Sequence, residues 1–205
     1  MGKVDFDPAA LDEVDIENGG VDERGMTGRD RVDKNGFYHL YILSINPQND
    51  DSGSITGVRL GLQVLAGTEG DQVGGKFDHF VNFRKKDGSE ISDVLKRQNA
   101  RFVRALSLAS DEAILSGKYR AKWSQSEGRQ FFGKVVVKPD NSGSDRAQID
   151  FGQVWRPGDE AAKKIPAHIE SLQLAGYPIE GQASFVASQE PGASTTPGDS
   201  DNIPF

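Results

Sequence analysis

The chain contains no cysteine, which excludes a disulfide framework, a thiolate zinc site and a cysteine nucleophile. Its 3 histidines, His39, His79 and His168, lie far apart without metal-ligand spacing, so no metal centre is expected. Long hydrophobic runs are also missing. Stretches such as Val135-Val136-Val137 fall far short of the roughly 20 residues that a membrane-spanning helix needs. Met1-Gly2-Lys3-Val4-Asp5 has no apolar signal core, and a soluble, cytoplasmic protein is the expectation. No Gly-x-x-x-x-Gly-Lys-Ser/Thr loop or paired-histidine motif occurs, and the carboxylates show no spacing that selects a catalytic pair. Gly67, Gly70, Gly74 and Gly75 lack the strand-turn-helix context of a nucleotide fingerprint. These absences predict a non-catalytic protein without cofactor or membrane partner.

What is present is unevenly charged. The 205 residues carry a formal net charge of −7, with 36% hydrophobic and 27% charged residues. Residues 1–35 hold 5 basic against 10 acidic side chains, and residues 181–205 hold none against 3. Residues 76–134, by contrast, carry 13 basic against 7 acidic groups. A basic centre between acidic ends suits a phosphate backbone, although a solvated surface produces the same clustering.

Residues 1–35 show no sustained hydrophobic period and are expected to be a disordered acidic arm. From Gly36 the run Phe37-Tyr38-His39-Leu40-Tyr41-Ile42-Leu43-Ser44-Ile45 predicts a first strand, ending at Asn46-Pro47. Alternation of Val58, Leu60, Leu62 and Val64 with Arg59, Gly61 and Gln63 predicts a second, and 76–83 a third. Residues 91–106 then place Ile91, Val94, Leu95, Phe102 and Leu106 on one helical face, with Ser89 or Ser92 as cap. Two further strands, Gly117–Trp123 and Gln130–Lys138, are expected to form a hairpin. Residues 148–155 suggest a short extra strand, and 159–175 a helix interrupted at Pro166. Five short strands with one helix after the third describe a mainly β, OB-fold-like barrel over 36–156, followed by a short helical extension over 157–180 and a disordered tail over 181–205.

Chemistry concentrates in the expected hairpin. Strand alternation would place Lys118, Arg120 and Lys122 on one face, and Tyr119, Ala121 and Trp123 on the other. Arg129, Phe131, Phe132 and Lys134 follow on the second arm. Cations that track phosphates beside rings that stack on unpaired bases are what single-stranded nucleic acid requires, while the same rings also suit an ordinary core. Trp155 is a further stacking candidate. Lys76 and Arg84 extend the cationic track at strand three, whereas Lys85 and Lys86 fit a solubilising turn.

The final residues, Asp199-Ser200-Asp201-Asn202-Ile203-Pro204-Phe205, expose large apolar side chains at the end of a polar tail. This tip resembles the tails of bacterial and phage single-stranded-DNA-binding proteins, the SSB family, which end in an acidic stretch followed by Ile-Pro-Phe. The order of strands adds to the resemblance, which is closer to phage-type members. It implies that Ile203, Pro204 and Phe205 enter an apolar pocket on replication, recombination or repair enzymes, while Asp199, Asp201 and the terminal carboxylate meet a basic rim. Ser200 and Asn202 depart from the family's acidic run.

A sequence-tolerant, non-catalytic single-stranded-DNA-binding protein, acting in a bacterial cell or a phage-infected host, with self-association as an open expectation, accounts for barrel, basic hairpin and tip together. The alternative is a phage replication or recombination accessory whose barrel binds protein. A small enzyme on the same scaffold has no residue constellation behind it.

Overall fold

The β-branched and aromatic run after Gly36 forms β1, Gly36–Asn49, and the alternating segment after the Asp50–Ser54 turn forms β2, Ile55–Gly67. The computed structural model describes residues 31–85, 87–140 and 143–185. Three more strands complete one antiparallel sheet: β3, Lys76–Asn82; β4, Gln130–Pro139; and β5, Asp145–Trp155. Their order is β3-β2-β1-β4-β5. Among the described residues no ladder joins β3 to β5, so the sheet is not closed. A side-chain bond spans the gap instead, from the Ile149 amide to His79 Nδ1 at 3.2 Å.

The count of five strands matches the expectation, but their identity does not. Gly117–Trp123 forms no strand, and the fifth is β5, longer than the expected 148–155. The predicted hairpin partner of β4 is therefore replaced by β1 on one side and β5 on the other.

The expected helix after β3, α1, spans Asp93–Ala105, and Ser92 Oγ caps it by accepting from the Leu95 amide at 3.3 Å. Phe102, Ala105 and Leu106 bury against the sheet with Leu40, Leu60, Leu62 and Phe131. Ile91 is buried just before the helix, whereas Val94 and Leu95 lie off the buried stripe at 55% and 37% exposure. A short α2, Asp111–Leu115, follows.

Both ends of the domain reach further than expected. Val32 is buried in the main core, the Asp33 amide donates to Gln72 Oε1 at 2.9 Å, and Asn35 Oδ1 accepts from the Val137 amide at 2.6 Å. Residues 31–35 thus belong to the domain, and the rest of the expected arm lies outside the described residues. At the other end, α3, Glu160–Lys163, and α4, Ile169–Leu174, flank Pro166 as predicted. They build a second apolar layer: Ala162, Ile165, Ala167 and Leu172 pack with Phe132, Phe37 and Trp155 on the outer side of β1, β4 and β5. Residues 181–185 continue this layer, because the Ala183 amide donates to Lys163 and the Phe185 amide to Ala167, each at 2.9 Å. Residues 181–185 thus pack with the domain, and the rest of the tail expected over 181–205 lies outside the described residues.

Candidate nucleic-acid interface

Alternation along β2 and β3 sends Val58, Leu60, Leu62, Phe77, His79 and Val81 inward. Arg59, Gly61 and Gln63 remain outside on β2, as do Lys76, Asp78 and Phe80 on β3. The register sets Arg59 opposite Phe80, Gly61 opposite Asp78, and Gln63 opposite Lys76. On the other side of β2, Asn46, Ser44 and Tyr41 of β1 extend these rows. Phe80 is 41% exposed, a large ring facing solvent beside a guanidinium. Ring and guanidinium together can stack on a base and meet its phosphate. Sequence reasoning noted Arg59 on the outer side of β2 yet missed it as a site residue, and missed Phe80 because its strand register was not fixed.

The segment carrying Lys118, Arg120 and Lys122 is an irregular strap rather than a strand. Gly117, at φ +68°, follows α2 in the left-handed region, where a side chain would be strained, and its amide and that of Lys118 close the helix end on Ile114 and Ala113. The chain leaves this turn without a neighbouring strand, which is why the expected ladder does not form. Alternation of exposure persists nonetheless: Lys118, Arg120 and Lys122 are exposed, while Tyr119, Ala121 and Trp123 are half-buried. Burial pushes the Tyr119 hydroxyl's pKa up. Trp123 opens a 3-10 turn and packs on Phe83 at 5.4 Å and on Phe102 at 6.2 Å between ring centroids. Phe83 and Trp123 both pack against the main core, so this contact anchors the strap just beyond the end of β3, next to the exposed Arg84.

The remaining expected site residues divide. Lys76 stands half-buried at the start of β3, in the same outer row as Gln63. Arg129 holds the end of α1, donating from one terminal nitrogen to the carbonyls of Leu106 at 2.8 Å and Ser107 at 3.3 Å, and from Nε to Gln125 at 2.8 Å. Those bonds make it a strut. Phe131 is fully buried, edge-on to Phe102 at 5.1 Å, which corrects its assignment as a stacking ring. Lys134 is half-buried and 3.9 Å from Asp150. Trp155 packs against Phe37 at 6.2 Å beneath the second apolar layer. Lys86 and the tip residues Asp199, Asp201, Ile203, Pro204 and Phe205 lie outside the described residues.

One carboxylate stands within the outer face. Burial raises the Asp78 pKa, opposed by the nearby charges of Arg59 and Arg146. The inward histidines are uncharged near neutrality, as burial lowers His39 to about 4 and His79 to about 3. Among the described residues no group of three His, Asp or Glu side chains converges to hold a metal ion. No described helix is long and apolar enough to cross a membrane. The face thus offers cations and an exposed ring, a combination suited to holding an extended polyanion with planar substituents. No family model matches this chain, and neither does any curated protein.

Proposed function

We propose that this protein binds single-stranded DNA without catalysis, along the outer face of β2 and β3 and the cationic strap beside it. The observation that carries this is the pair of Arg59 and Phe80, opposite one another on the outer face of β2 and β3; in further support, Trp123 anchors the strap bearing Lys118, Arg120 and Lys122 on Phe83, next to the exposed Arg84. Phosphates would lie along the cations and bases against the ring, so most of the affinity would be indifferent to sequence. The fold we infer is an OB-like barrel. In support, the ends of the order β3-β2-β1-β4-β5 meet across the His79–Ile149 bond, and the uncovered β2–β3 face is where such barrels bind oligonucleotides.

The tip Asp199–Phe205 completes the proposal as a recruitment device for replication, recombination or repair enzymes, in the cytoplasm of a bacterial cell or phage-infected host. The test is a titration of the full chain with an oligo-dT strand, the matching duplex and single-stranded RNA. Preferential binding of oligo-dT, weakening steeply with salt, is the expected result. Failure on all three would reject the proposal in favour of a protein-binding accessory.

A further inference from the structure

The middle row of the outer face is built differently from its neighbours. Ser44, Gly61 and Asp78 lie side by side on three adjacent strands. Gly61 has no side chain, and a Cβ placed there would come within 2.5 Å of Ser44 Oγ, so the serine hydroxyl sits over the glycine. Asp78 stands opposite Gly61 on the other side, its side chain only 34% exposed. Among the described residues its carboxylate accepts no hydrogen bond, and its ion pair with Arg59 is long, at 3.9 Å. A partly desolvated carboxylate without donors gains from any ligand that supplies them. An acidic group in the centre of a phosphate-binding face otherwise works against binding.

The geometry points to a base-reading position: Asp78 accepts the Watson–Crick edge of one unpaired guanine, whose ring lies beside the exposed Phe80. This inference rests on the single-stranded-DNA reading of the same face. Guanine is the base that suits a carboxylate best, because its N1–H and exocyclic N2–H donate in parallel to the two carboxylate oxygens. Thymine offers one donor between two carbonyls, which the carboxylate repels. Cytosine and adenine supply an amino donor but no second one beside it. Arg59 and Lys76, in the rows on either side, are positioned for the flanking phosphates. The result is a tolerant binder with one position that discriminates.

The experiment is fluorescence anisotropy of the full chain with three oligonucleotides: oligo-dT, the same strand with one central guanine, and the same strand with central hypoxanthine, which lacks the N2 amine. The guanine strand should bind about tenfold more tightly than oligo-dT, within the range of a bidentate base contact, and hypoxanthine should lose most of that gain. Asp78→Asn should erase the preference while leaving oligo-dT affinity unchanged or higher. Asp78→Ala, which removes the acceptor altogether, should also erase it, and a melting curve of each variant guards against misfolding. Equal binding of the three strands by the unaltered protein, or a preference that survives Asp78→Asn, would overturn the inference alone. Binding to none of them would overturn it together with the DNA-binding reading of the face.

Discussion

Arg104 and Asp159, 55 residues apart in sequence, meet in a forked ion pair with bonds of 2.8 and 3.3 Å. Arg104 is near the end of α1 and Asp159 precedes α3, so the pair ties the central helix to the C-terminal extension. Asp159 also accepts from the Arg156 amide at 3.2 Å, and Arg156 reaches Asp111 of α2 at 3.0 Å. Three helical elements thus share one charged joint. Asp159→Ala should lower stability by about 1–2 kcal/mol, the scale of a well-placed but partly exposed network, and less in high salt. Urea denaturation would measure the loss, and hydrogen exchange should show it first in residues 160–174.

His39 provides the acid sensitivity. Its Nδ1 accepts from the His168 amide at 3.2 Å, and its ring stacks on Phe132 at 4.7 Å, beneath the extension. Burial holds its pKa near 4, with a Gln130 hydrogen bond opposing and His168 adding to the effect. An unfolded imidazole takes its proton at about pH 6.5, so between there and pH 4 the unfolded chain binds more protons than the folded one. Stability is therefore complete above that range and falls as pH drops through it, by about 1.4 kcal/mol per pH unit for each such histidine. His39→Asn, which retains an acceptor but does not titrate there, should flatten part of the decline in pH-dependent urea melts. His79 should account for a further part.

Two phenylalanines should give opposite results. Phe80→Ala should weaken DNA binding by about 1–3 kcal/mol if the ring stacks on a base, with little change in melting temperature. Phe131→Ala should destabilise the domain by about 3–5 kcal/mol through the cavity it leaves. Calorimetric melting and anisotropy, run on both variants, separate the two roles.

Replacing Lys118, Arg120 and Lys122 together by Ala should reduce affinity and flatten the salt dependence. Each phosphate contact contributes a slope of about 0.7 on logarithmic axes, so three lost contacts remove about 2. An unchanged slope would assign the strap's cations to solubility.

Deleting Asp199–Phe205 should leave the melting curve of the domain unchanged and DNA affinity intact or slightly higher. Docking to enzymes that recognise Ile-Pro-Phe tails should be lost, and Phe205→Ala should nearly reproduce that loss, since burying such a ring contributes about 1.5–3 kcal/mol. A pull-down with the full chain and a peptide of the final nine residues tests both.

Periodicity made the sheet's first three strands, α1 and the break at Pro166 legible in the sequence. It failed at Gly117–Trp123, where alternation is real but no strand lies alongside to use it. Alternation records which side chains meet solvent, whereas a strand also needs a neighbour for its amides, and that depends on the path of β1 and β5. Phe131 and Phe132 posed the reverse difficulty: consecutive rings on a strand point to opposite faces, and both are buried because each face is covered. Nothing local reveals the second cover, which comes from residues 157–185. Arg59 was readable as an outward position, but only the register of β3 turned Phe80 outward and set the two opposite one another.

Because the extension blankets β1 and β4 from outside while the main core fills them from within, those strands have no side on which residues can change freely. Phe37 to Ile42 and Phe131 to Val135 are constrained twice over. β2 and β3 are bound only from within, which leaves positions 59, 63, 76, 78 and 80 open to substitution at small cost in folding. Any drift in ligand preference, natural or engineered, should therefore concentrate at those five positions, on a scaffold whose other half supplies the rigidity.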